Sequence, residues 1–261
     1  MLPFGIVFSN ITNNIMAIKN INRLMVFILA NLLFTSTFFS QNTCSVNYKV
    51  LAAGGTFENN EDVKKFKSSQ RYIGIDEAIR NINYELLIKN DESFFRLKPA
   101  LNINDKIAKT ARNLVGTRSF YKKNKDIVHI ITISNETFNV SFSENKPWIL
   151  INESKIINNY LCFKATKEKL QRNKTSVEVI AWYCPEIPIS NGPKEFGNLP
   201  GLILEVQDGR FVFFANQINL TKNQEFDINK IKGKILKEEE YNKILDDIIV
   251  QARNEMLNYK K

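Results

Sequence analysis

Residues 181–216 read AWYCPEIPISNGPKEFGNLPGLILEVQDGRFVFFAN, and the reading of this stretch decides the fold. Four of the seven prolines (Pro185, Pro188, Pro193 and Pro200) fall within it, alongside Gly192, Gly197 and Gly201. Proline fixes φ and glycine permits φ > 0, so the turns of this loop are largely written into its composition. Pro200-Gly201 fits the centre of a type II turn, and Asp208-Gly209 between apolar runs signals a two-residue hairpin. Folding about Asp208-Gly209 sets Val206 opposite Phe211, Leu204 opposite Phe213 and Leu202 opposite Ala215, which makes one face wholly apolar. The other face, with Ile203, Glu205, Gln207, Arg210, Val212 and Phe214, is mixed.

Working outward, the period of two continues upstream. Residues 45–53, 82–89, 93–98, 118–121, 127–133, 137–143, 148–151, 160–166 and 176–183 alternate as strands and are parted by Asn-, Asp- and Gly-containing turns. Residues 61–79 are polar and read as one or two short helices. Ile103, Ile107, Ala108, Ala111, Leu114 and Val115 recur at helical spacing, with Asn102 or Asn104 as cap and Gly116 as stop. Residues 238–259 form an amphipathic helix whose face is Tyr241, Ile244, Leu245, Ile248, Ile249, Ala252 and Met256, with Glu238, Glu239 and Glu240 complementing its dipole. Ten or eleven strands, mostly adjacent in sequence, predict a mainly β protein. The expected architecture is an antiparallel curved sheet, or a two-layer sandwich or half-barrel, with a packed C-terminal helix.

The N-terminal region has the order of an export signal. Met16 opens a segment with Lys19 and Arg23, residues 24–34 are apolar except Asn31, and a polar stretch follows. The apolar run is too short to span a membrane. The expected organisation is therefore a signal peptide in 1–40, with an extension before Met16, and a single β-rich domain in 41–261. Cleavage is expected near Ser40, and an uncleaved anchor is the alternative. The protein is expected in the periplasm, in the outer envelope or secreted, touching membrane only through an uncleaved signal or peripherally.

A net charge of +9 invites a nucleic-acid reading. No helix-turn-helix, zinc finger or RNA-binding aromatic motif accompanies it, so a basic solvated surface is expected instead. The three cysteines are too few for a disulfide scaffold and lack the spacing of a zinc site. Cys162 and Cys184, in neighbouring candidate strands, either pair or stay as two buried thiols, and the thiols are the favoured reading.

The loop and its flanks resemble the GLPGLI family of exported Bacteroidota proteins. The resemblance rests on Ala181-Trp182-Tyr183, Pro185-Glu186-Ile187-Pro188, Gly192-Pro193 and Leu199-Pro200-Gly201-Leu202-Ile203. Trp148, Lys155-Ile156, Tyr160, Cys162, Lys164 and Ala165 look like the family's preceding strands, so the match covers 147–215. Asn198 stands where the family has its first glycine, a conservative change because asparagine tolerates a left-handed turn. Cys184 stands where the family often has a small hydroxyl residue, which argues against a general disulfide role for Cys162. The resemblance implies export, a β-rich fold and no established biochemical activity.

The residues themselves offer little chemistry. The single histidine, His129 in IVHIITI, lies on an apolar strand face and reads as a packed core residue. One histidine cannot make a two-histidine zinc site, and no G-x-S-x-G elbow supplies a serine for a triad. Neither a metal nor a cofactor is called for. Glu186, Glu195, Glu205 and Asp208 are the carboxylates available for glycosidic hydrolysis, with Asp208 already explained by its turn. Trp182, Tyr183, Phe196, Phe211, Phe213 and Phe214 read first as core packing. The sharper reading is a hydrophobic recess or partner surface, with Trp182, Tyr183, Glu186, Lys194, Glu195 and Phe196 as the candidate binding residues. The expected function is that of a non-enzymatic binding protein engaging an envelope protein or an apolar small molecule. The alternatives are a half-barrel carrier of lipid or another apolar ligand, and a carboxylate-dependent hydrolase using Glu186 or Glu195.

Overall fold

The computed structural model describes residues 43–53, 74–99, 105–124, 126–133, 136–142, 146–171, 175–220, 231 and 234–258. These belong to one compact unit, Asn42–Lys261. The expected signal in 1–40, the caps Asn102 and Asn104, and most of the polar stretch 61–79 lie outside the described residues.

Twelve strands form one open, curved sheet among the described residues. In chain order the elements are β1 (Thr43–Ala52), α1 (Ile75–Arg80), β2 (Asn83–Lys89), β3 (Glu92–Leu97) and α2 (Lys106–Val115). There follow β4 (Ser119–Lys123), β5 (Asp126–Ile133), β6 (Glu136–Ser141), β7 (Ile149–Ile157) and β8 (Tyr160–Leu170). The last are β9 (Ser176–Cys184), β10 (Leu202–Asp208), β11 (Phe211–Asn219), β12 (Ile235–Lys237) and α3 (Glu238–Asn258). The spatial order is β12-β6-β5-β4-β3-β2-β1-β11-β10-β9-β8-β7. Two antiparallel meanders, β1 to β6 and β7 to β11, are thus joined where β1 pairs with β11. Short turns explain this order: Asn90 at φ 57°, and Asn158 and Asn159 at φ 50° and 67°, supply the left-handed residues that two-residue hairpins demand. The sheet is one layer rather than a sandwich. Strand β12, which the sequence reading lacked, is three residues long and lies parallel to β6.

One face of the sheet is largely apolar. Along β1 every second residue (Cys44, Val46, Tyr48, Val50, Ala52) is buried. The row continues across neighbouring strands through Tyr84, Phe95, Phe120 and His129 on one side and Phe213, Val206 and Ala181 on the other. Helices α1 and α2 cover part of this inner face with Ile75, Ile79, Ala111 and Val115. The cap of α2 is Asp105, whose side chain accepts from Ile107 N at 2.8 Å, rather than either asparagine.

The expected hairpin register needs correction. The β10–β11 register places Val206 opposite Phe213 and Asp208 opposite Phe211, two residues away from the expected pairing. The turn is Gly209-Arg210, with φ > 0 at Gly209 only (62°), the pattern of a type II′ turn. A turn on Asp208-Gly209 of type I′ would have forced an aspartate to positive φ. A shift of two keeps every side chain on its own face, so the apolar face survives, but it moves Asp208 out of the turn and into the strand. Helix α3, expected to pack on the sheet, is held near its start. Tyr241 is buried with Ile131, Phe138 and Val140, and Ile244 and Leu245 pack against them. Ile249 is 44% exposed. The side chains of Ala252 and Met256 are outside the described set.

Candidate functional site

The loop of residues 185–201 folds back across the inner face and is held by its own backbone. Leu202 N donates to Ile187 O at 3.0 Å, and Ile203 N to Asn191 O at 2.9 Å. Gly201 N donates to Leu199 O at 2.8 Å, so Pro200 centres a γ-turn where a type II turn was expected. Gly201 has φ 153°, and a Cβ there would meet Cys184 O at 2.1 Å. A Cβ on Gly192 would meet the Cβ of Ile203 at 2.7 Å. These two glycines let backbone lie directly on strand. Asn198 and Lys194 take φ 61° and 56°. Ile187, Phe196 and Leu199 point into the core, Pro193 is buried, and Pro185, Pro188 and Pro200 are exposed.

Side chains of the sheet pin the loop from below. Lys122, buried on β4, donates to Phe196 O at 2.6 Å and Gly192 O at 3.0 Å. Burial pushes its ammonium down to about 7. Trp148 Nε1 donates to Gly197 O at 2.8 Å. Lys167 on β8 lies 4.5 Å from the Trp148 ring and 5.0 Å from that of Phe196, and burial lowers its ammonium to about 8.

Beside this contact lies a group of charges that the register shift assembles. Asp208, its side chain 9% exposed, is paired with both Lys169 (2.9 Å) and Lys194. Lys169 also holds Glu195 Oε1 at 2.7 Å. Burial by itself pushes the Glu195 carboxyl up, but the Lys194 and Lys169 ammonium groups more than offset this and hold it well below the usual carboxylate range. His129 sits between the rings of Phe120 and Phe142, 4.6 and 4.1 Å away, and burial lowers its imidazole to about 4. At neutral pH the carboxyl is therefore ionised and the imidazole uncharged.

These groups surround a cavity of about 940 Å³ bounded by the inner face, the loop and the start of α3. Its apolar wall includes Phe95, Phe120, Phe142, Phe196 and Phe213; its polar wall includes His129, Lys169, Lys194, Glu195 and Asp208. Ligand sites commonly have this size and this mixture of apolar surface with a few convergent polar groups.

Of the six candidate binding residues, the structure brings Lys194, Glu195 and Phe196 together on the cavity wall. Tyr183 is buried, tilted against Phe163. Glu186 is exposed on the loop. Trp182 lies on the opposite face of the sheet, under Lys155 at 4.4 Å, which in turn pairs with Glu205 at 2.7 Å. Cys162 and Cys184 are free, buried thiols, as is Cys44. Sequence reasoning missed Lys122, Lys167 and Lys169 and explained Asp208 by its turn. A signal existed for two of these: in β8, Lys167 and Lys169 share the parity of the buried Ala165, which puts both on the inner face. Among the described residues no cluster of three or more His, Cys, Asp or Glu is placed to hold a metal ion. No described helix is long and apolar enough to cross a membrane.

Residues 167–205, which span the charged strand, the loop and the start of β10, match a family model described as a protein of unknown function (Porph_ging). Comparison with curated proteins returned no match. Among solved structures the chain is similar to PNGF-II in two crystal forms, with TM-scores of 0.46 and 0.47 and identities of 14% and 15%. The aligned region covers 76% of this chain and 31% of PNGF-II, so this chain matches about a third of that protein's length. It is also similar to the LolA superfamily protein NE2245 from Nitrosomonas europaea, with a TM-score of 0.26, 12% identity, and coverage of 70% of this chain and 88% of that one.

Proposed function

We propose that this chain is an exported, GLPGLI-type envelope protein that binds an apolar or amphiphilic small molecule without transforming it. The loop of residues 185–201 serves as the rigid wall of the binding site. One observation carries the reading: the inner face is not filled, but keeps a cavity of about 940 Å³ with phenylalanines on one side and fixed charges on the other. A wall already held in place binds at small entropic cost. Export is supported by the signal-like order of residues 16–40, and the family reading by the match over 167–205, which overlaps the loop motif.

A hydrolase using Glu195 fits less well. A general acid needs a carboxyl whose proton is retained near neutral pH, whereas Glu195 is held ionised by Lys194 and Lys169. Glu186 is exposed on the loop and is not part of the cavity wall.

The test is native mass spectrometry of the full chain purified without detergent, followed by titration with alkyl probes. Extra mass that departs on denaturation, or saturable uptake of a probe, is the expected result. A bare polypeptide mass together with no uptake of any probe would overturn the proposal. The variant Ile131→Trp, which places a large ring at the cavity wall, should abolish uptake while the thermal transition persists.

A further inference from the structure

Three polar atoms on the cavity wall have no hydrogen-bond partner among the described residues: Nδ1 and Nε2 of His129, and Oε2 of Glu195. His129 is 7% exposed, and folded proteins seldom leave such groups unpaired. Three of the neighbouring cations are engaged by the protein itself. Lys169 bonds Glu195 and Asp208, Lys194 bonds Asp208, and Lys122 bonds two loop carbonyls. The open positions are therefore a carboxylate oxygen that only accepts, and an uncharged imidazole with one nitrogen that accepts and one that donates. An anionic headgroup would face an ionised carboxylate with no uncommitted ammonium among these three lysines to receive it. A group that offers at least two N–H or O–H donors and one acceptor oxygen, as hydroxyls and amides do, satisfies all three atoms.

Building on the reading of the cavity as a binding site, we infer that its ligand carries an uncharged headgroup rich in hydrogen-bond donors, polyhydroxylated or amide, seated against His129 and Glu195. Its hydrocarbon part lies along Phe95, Phe120, Phe142 and Phe213. His129 and Glu195 thus set specificity, and the phenylalanines supply most of the apolar contact.

Three probes sharing an eight-carbon tail separate the headgroups: octyl glucoside, octanoate and octyltrimethylammonium. Each is titrated below its micelle concentration into the full chain by calorimetry. Octyl glucoside should bind about tenfold more tightly than octanoate, the size expected of one well-made buried hydrogen bond. In His129→Phe, a ring of similar shape between Phe120 and Phe142, that preference should vanish while octanoate affinity stays the same. Glu195→Gln, which keeps the side-chain shape but replaces one acceptor with a donor, should also reduce it and provides a second route if His129→Phe does not fold. Equal binding of the three probes, tighter binding of either charged probe, or a preference that survives both substitutions would overturn the headgroup inference and leave the cavity reading standing. Absence of binding by all three would remove the cavity reading itself, and the inference with it.

Discussion

The cavity has two unlike walls. The loop of residues 185–201 is fixed by a series of turn bonds and two backbone bonds from β10, by two glycines with no room for a Cβ, and by Lys122 bonded to two of its carbonyls. Helix α3 is attached near its start, where Tyr241, Ile244 and Leu245 meet β5 and β6, and beyond that it exposes Ile249 and Val250. The difference teaches that composition and packing stiffen a chain by separate routes. Proline and glycine narrow the loop's dihedral choices before any tertiary contact forms. An amphipathic helix is only as firmly held as the surface that meets it.

The comparison breaks most sharply at Gly201. Gly201→Ala sets a Cβ against the carbonyl of Cys184 and should cost more than about 4 kcal/mol, or prevent folding, because backbone must move. The control Gly209→Ala has open space around it and φ 62°, so it should cost only about 1 kcal/mol of turn strain. Denaturant midpoints of the two variants give the answer; similar midpoints would mean that the loop is not seated as described. At the other wall, Tyr241→Ala should lose about 3 kcal/mol by emptying the small cluster under α3. Ile249→Gln, further along the same helix, should stay within about 0.5 kcal/mol. Equal losses would show that α3 is held along its length.

Lys122→Met should cost about 2 kcal/mol at neutral pH, since it leaves Gly192 O and Phe196 O unpaired. The pH dependence sharpens this case. In the unfolded chain Lys122 and Lys167 titrate near 10.4, whereas burial lowers them to about 7 and about 8 in the folded chain. Between those limits the unfolded chain binds more protons, so stability rises as pH rises from about 7 toward 10. Glu195 acts in acid. Its folded carboxyl is depressed, so its contribution is complete above the unfolded value of about 4.3 and is lost as pH falls toward the folded value. Urea midpoints across pH should therefore climb through the acid limb and again above neutrality, and Lys122→Met should weaken the upper climb. A midpoint that falls between pH 7 and 10 would contradict the burial of both lysines.

Most strands were legible because they carry period-two alternation, and β2, β4, β7 and β10 also end at a left-handed asparagine or glycine (Asn90, Asn124, Asn158 and Gly209). The exceptions are instructive. Strand β7 runs on through Asn152, Glu153 and Ser154, where alternation fails because it is an edge strand with a register irregularity. Strand β12 has no pattern long enough to see, and a parallel neighbour distant in sequence leaves no local sign. The cap Asp105 was missed for asparagines just upstream, an error of one to three residues that is usual at helix ends.

The site was less legible than the fold. Phe196, Lys194 and Glu195 stood out because the loop is so unusual in composition, but Trp182 was assigned to the same surface and belongs to the other face of the sheet. His129 read as an ordinary core residue, and its unpaired nitrogens emerge only when every neighbour is in place.

By itself, then, the sequence determined the class of fold, the presence of the rigid loop and its hairpin, and the apolar face of most strands, because these follow from local dihedral preference and from the period of two. Only the tertiary structure decided that the sheet stays open as one layer and that a two-residue shift carries Asp208 from a turn to a charged wall. It alone also placed Lys122, Lys167 and Lys169 under a loop distant in sequence. Burial, ion pairing and pKa depend on which segments meet across the sheet, and no stretch of the chain encodes that alone.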